Sequence, residues 1–150
     1  MLVTKEEVLS KSVDIVLDRI NQLENELSSL KESAASDTKS SMGDKYETGR
    51  EMINLEKAKI SEQLKLAQQM LVGLKGIDAQ KTYQKAELGA LVITDSGRYF
   101  LSVALGQVEV KGTTFFAISM ASPLAQQLIQ KGQGDVVQMA GKSQHILEVS

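Results

Sequence analysis

The sequence predicts an α+β chain in two parts: an N-terminal antiparallel coiled-coil hairpin, then a small antiparallel sheet with one helix. Three observations predict it. Val13, Val16, Ile20, Leu23, Leu27, Leu30 and Ala34 recur at steps of three and four, and Ile60, Leu64, Ala67, Leu71 and Leu74 resume that rhythm after a polar break, S-D-T-K-S-S-M-G-D-K-Y-E-T-G at 36–49. Near 77–86 the composition changes from Glu, Lys, Gln and Leu to Gly, Val, Thr and aromatics. Beyond that point short β-type runs alternate with turn signals. A narrow apolar seam cannot bury itself, so the break at 36–49 lets the chain fold back until each seam covers the other.

Thr4 with Glu7 three residues on reads as a capping box, which starts the first helix at Lys5 and carries it to about residue 35, roughly 46 Å at 1.5 Å per residue. The return helix, about 45–75, has the same length, as paired arms require. Glu24, Glu26, Lys31, Lys57, Lys59, Glu62 and Lys65 are mixed in sign and read as solvated flanks. Gly73 and Gly76 read as the end of the second helix. Runs at 88–94 and 98–105 flank D-S-G, a hairpin signal, and 113–119 adds a further strand. Ser122 followed by Pro123 marks the start of a short helix that reaches Lys131 and stops at Gly132. Runs at 135–139 and 144–149, joined across A-G-K-S, form a closing hairpin. The reading is of about five strands and one helix, with domains at 1–78 and 79–150 and the fingertip at 36–49.

Composition narrows the function. Of 150 residues, 42% hydrophobic, the hairpin takes half without building a globular core, so the core of the remainder is small. The absence of Cys excludes a disulfide framework and thiolate metal sites. The start M-L-V-T-K-E-E-V lacks the basic and apolar regions of a secretory signal, and no run approaches the roughly 18 apolar residues that span a bilayer, so a reducing cytoplasm with no membrane contact is expected. Residues 1–78 hold 11 Lys/Arg against 14 Asp/Glu and 79–150 hold 6 against 5, so neither part has the basic excess of an autonomous nucleic-acid binder. Three Phe, three Tyr and no Trp argue against base-stacking platforms.

From Arg98 onward, Y-F-L-S-V-A-L-G-Q-V-E-V and then A-I-S-M-A-S-P-L-A-Q-Q-L-I-Q-K-G-Q-G-D-V-V resemble the C-terminal domain of the Gre family of bacterial transcription elongation factors. The match centres on Ile118, Ser119, Ser122, Pro123, Leu124, Ala125, Leu128, Ile129, Lys131, Gly134, Asp135 and Val136. Gln130 departs from it, since the family usually has Gly there. Tyr46-Glu47-Thr48-Gly49-Arg50-Glu51 looks like the family's Y-x-A-A-R/K-E at the start of its second coiled-coil arm. The resemblance implies an FKBP-like fold for the C-terminal module. It also implies a monomeric factor that docks this module at the rim of the RNA polymerase secondary channel, through Ile118, Ser119, Ser122, Pro123, Leu124, Lys131, Gly134 and Asp135. The coiled coil then enters the channel and meets nucleic acid only indirectly, within the polymerase complex. The factor is no enzyme of its own and binds no cofactor stably. In the family, acidic tip residues in the pattern G-D-L-S/K-E-N-A-E-Y share a Mg²⁺ with the polymerase and stimulate cleavage of backtracked RNA.

At the tip this sequence departs from the pattern. With Tyr46 aligned on the family's Tyr, the acidic positions fall on Lys39 and Met42, which do not bind Mg²⁺. With Gly43-Asp44 aligned instead, Asp44 and Glu47 reproduce the D-x-x-E spacing, three apart on one helical turn. Asp44 and Glu47 also read as an N-cap and its partner, with no metal. Lys39 and Lys45 are tip contacts toward phosphate or simply solubilising, and Met42 is a tip contact or a single exposed apolar residue. His145, the one histidine, lacks a second ligand in the sequence, and Asp135 after Gly134 reads as a turn former. Two other function classes remain open. One is a coiled-coil adaptor whose C-terminal part is a structural cap. The other is an FKBP-like isomerase or holdase, against which the scarcity of aromatic residues counts.

Overall fold

The computed structural model describes residues 2–39 and 44–150, with the side chains of 34–39 and 44–48 outside that description. It forms two compact units, Val16–Gln69 and Met1–Ile15 together with Met70–Ser150.

The first unit is the hairpin formed by α1 (Lys5–Lys39) from Val16 on and by α2 (Asp44–Lys75) as far as Gln69. The heptad seam is its buried stripe. Val16, Ile20, Leu23, Ile60 and Ala67 are buried, with Leu27, Leu30, Ile53, Lys57 and Leu64 half-buried at the same spacing. Met52 and Leu55 lie off the seam and are exposed.

In the second unit, α1 opens with the capping box that the sequence predicts. Glu7 N donates to Thr4 Oγ1 at 3.2 Å, and Glu7 Oε1 accepts from Thr4 N at 3.4 Å. Lys111 also reaches Glu7, at 2.8 Å, and holds its carboxyl below the usual carboxylate range. The stripe extends about a turn and a half before Val13, taking in Ser12 and Val8, both fully buried; the Ser12 hydroxyl donates to the Val8 carbonyl at 2.8 Å and so enters the core satisfied. Gly73 does not end α2. It lies inside the helix, where an added Cβ would come within 3.2 Å of Val103 Cγ1, so it allows a close approach. The helix stops at Lys75.

Six strands form the sheet: β1 (Leu91–Thr94), β2 (Arg98–Ser102), β3 (Gly106–Val110), β4 (Thr113–Ser119), β5 (Val136–Met139) and β6 (Lys142–Val149), in the order β3-β4-β2-β1-β6-β5. The expected strand 98–105 ends at Ser102, and 106–110 is a sixth strand hairpinned to β4. Pairing is antiparallel except between β2 and β4, which run parallel with Phe100 beside Ala117. Two hairpins turn on residue pairs with positive φ, Lys111 (50°) with Gly112 (79°) and Ala140 (52°) with Gly141 (78°), the backbone that two-residue hairpin loops require.

Alternation along the strands gives the sheet two faces. Val92, Tyr99, Leu101, Val137 and Ile146 join Ala86, Ala90, Ala125 and Leu128 in one core, under α3 (Pro123–Leu128). Leu91, Phe100, Val108, Phe115 and Ala117 are buried on the opposite face. At the D-S-G turn, Thr94 Oγ1 accepts from the Ser96 and Gly97 amides, each at 3.1 Å, and donates to buried Gln144 at 2.8 Å.

Candidate functional site

At the fingertip, α1 ends at Lys39 and α2 begins at Asp44, with Lys45 and Glu47 in its first turn. Met42 lies outside the described residues, as do the side chains of Lys39, Asp44, Lys45 and Glu47. Carboxylates in a helix's first turn face unpaired backbone amides and the positive end of the helix dipole, whatever else they bind. Among the described residues no cluster of three or more His, Asp or Glu is placed to hold a metal ion.

The candidate docking string runs from the end of β4 through α3 to the start of β5. Ile118 and Leu124 are half-buried against the core. Ser119 accepts the Ser122 amide at 3.1 Å, and Ser122 Oγ caps α3 by accepting from Ala125 N at 3.2 Å, with Pro123 in the first turn. Asp135 Oδ2 accepts from Gly132 N at 2.8 Å, and Gly134 (φ 90°) donates to Ile146 O at 2.8 Å. Six of the eight docking candidates thus hold the β4–α3–β5 connection in shape. Pro123 and Lys131, exposed at either end of this turn, have side chains free for contact.

The helix is shorter than the expected 123–131, because Ile129 leaves the helical conformation (ψ 130°) and Gln130 takes φ 65°. Gln130 takes a left-handed backbone that glycine adopts without strain. The left-handed conformation costs a side-chain-bearing residue about 1–2 kcal/mol, whereas glycine loses about 0.5–1 kcal/mol in extra chain entropy. The first effect wins. Gln130→Gly is expected to stabilise the protein by about 0.5–1 kcal/mol in urea denaturation, and a destabilised variant would contradict this account.

His145 and Asp95 form a polar pair, which the sequence reading missed because Asp95 lies in the β1–β2 turn and His145 within β6, fifty residues on. The His145 amide donates to Asp95 Oδ1 at 3.0 Å, and the ring Nδ1 lies 3.1 Å from Oδ2. That amide bond is the main cause holding the Asp95 carboxyl below its ordinary pKa. Both side chains are exposed, and the pair ties the β1–β2 turn to β6.

No helix of the described residues is long and apolar enough to cross a membrane. No protein-family model matches the chain, and no curated protein matches it significantly. Among solved structures, it is similar to one described as the structure of the transcription factor Gfh1, with a TM-score of 0.39, 18% identity, and 93% of each chain covered.

Proposed function

We propose that this chain is a Gre-like transcription factor that binds RNA polymerase, its C-terminal module docking at the secondary channel and its helical finger entering it. One observation carries the reading: the Gre-like string Ile118 to Val136 occurs in the same chain as a helical hairpin. The arms of the hairpin unit, 16–39 and 44–69, give the finger about 36–39 Å of reach at 1.5 Å per residue. Pro123 and Lys131 are the docking candidates whose side chains are free to touch the polymerase.

The finger acts by occupying the channel and competing with cleavage factors. Two carboxylates meet only part of the six-ligand demand of Mg²⁺, so Asp44 and Glu47 alone would not hold the ion. If they joined a shared site, phosphates and the polymerase would supply the other ligands, and the ion would activate water. In the capping role, Asp44 needs only an oxygen acceptor, and Asn supplies one.

Co-purification from the native cell tests the partner, and failure of the full-length protein to bind its cognate polymerase overturns the proposal. A transcript-cleavage assay on stalled complexes tests the tip. The wild-type protein is expected to give no stimulation and to slow cleavage driven by a separate factor, with Asp44→Asn unchanged in both respects. Strong stimulation by wild type, lost in Asp44→Asn, would assign the pair to the metal instead.

A further inference from the structure

Lys5 is the one buried charged side chain among the described residues, at 8% exposure. Its ammonium donates to the Lys81 carbonyl at 2.7 Å and lies 4.7 Å from the centre of the Tyr83 ring. The Lys81 ammonium sits 5.1 Å from the same ring. Nearby, Glu6 accepts from the Gln80 side chain at 3.3 Å, and Asp78 accepts the Gln80 amide at 2.9 Å. All of these partners belong to one segment, 78–86, which leads from α2 to the sheet. Its far end is held separately: Ala86 N donates to Lys131 O at 2.8 Å, Gln130 N donates to Ala86 O at 2.9 Å, and Lys85 bridges to Gly132.

We infer that Lys5 and Tyr83 form a latch by which the first turn of α1 holds the 78–86 segment as a strap that can open. A partly buried ammonium is costly unless paired, and here its hydrogen bond and ring contact exist only while the strap is down. When the strap lifts, water solvates the ammonium, so opening does not strand the charge. The inference stands on this geometry and does not depend on the transcriptional reading.

Limited trypsin digestion of the full chain tests it, because Lys81 and Lys85 lie in the strap. Lys5→Met keeps the stem but removes the ammonium, leaving the Lys81 carbonyl without its donor. Cleavage after Lys81 and Lys85 is expected to rise about tenfold or more, while cleavage after Arg98 and Lys142 in the strands stays at the wild-type rate. Lys5→Arg, which keeps a donor and a cation over the ring, is expected to restore protection. Three results overturn the latch: strap cleavage in Lys5→Met no faster than wild type, equal acceleration at every site, or no rescue by Lys5→Arg. Should Lys5→Met fail to fold, Tyr83→Leu decides, since it removes the ring under the cation while keeping an apolar group on the core against which Tyr83 packs; strap cleavage unchanged in that variant also overturns the latch.

Discussion

Phe100→Ala is expected to destabilise the sheet-bearing unit by about 3–5 kcal/mol, the range for removing a buried aromatic side chain. Phe100 is fully buried and heads the largest such side chains. Its strand lies between β1 and β4, with Leu91 and Ala117 as direct neighbours, so small Ala117 cannot fill the space that the ring would leave. Against a typical total of about 5–15 kcal/mol the loss is a large fraction. Phe116, one position along β4 from Ala117, is 41% exposed and touches Tyr99 at a ring separation of 6.2 Å. Phe116→Ala should cost about 0.5–1.5 kcal/mol, the worth of an aromatic pair. Urea denaturation of both variants, followed by amide NMR signals from the sheet, measures the difference; equal losses would refute the burial argument.

Gly132→Ala should cost about 1–3 kcal/mol through overpacking. An added Cβ would sit 2.8 Å from the Gln84 carbonyl oxygen, a backbone atom that cannot turn aside as a side chain can. Gly132 also pairs with Lys85 in the bridge that anchors the rear of the 78–86 segment, so relief of the clash must break that pairing. The expected signature is a lower melting temperature with faster hydrogen exchange at the Ala86 amide. A wild-type melt in Gly132→Ala would show that the segment yields without loss.

The elements that local rules govern were legible in the chain. The seam residues, the Thr4–Glu7 box, the Ser122–Pro123 cap and the turns at D-S-G and A-G each depend on neighbours a few positions away. What escaped depends on distant partners. The parallel register of β2 with β4 leaves no local mark, and the apolar run through Leu105 hides the point where the chain turns, fixed by Leu105 N donating to Val103 O at 2.8 Å. Ser12 broke the apolar pattern because its polarity is cancelled by the Val8 carbonyl, which only the folded helix supplies. Gly73 reads as a stop by propensity, but in the helix it makes room for Val103. Lys5 reads as an ordinary helix start, since nothing near it in sequence announces Tyr83. Of the docking candidates, the string was legible, but the division between Ser122, Asp135 and Gly134 as shape-holders and Pro123 and Lys131 as exposed residues needed the fold. At the tip, the sequence supplies both the capping and the metal alternatives for Asp44 and Glu47.

The strand order sets how late in synthesis the sheet can close. β1 lies between β2 and β6, and Leu91 exchanges backbone hydrogen bonds with Ser150 at 3.0 and 2.9 Å. A ribosome adding about 5–20 residues per second releases β1 and β2 several seconds before β6 can reach them. During that interval Val92 and Leu101 belong to a nascent chain whose sheet cannot close, whereas the helical hairpin, with its local contacts, is already able to form. In the seconds before β6 arrives, the apolar faces of β1 and β2 lack the partner that covers them in the finished sheet.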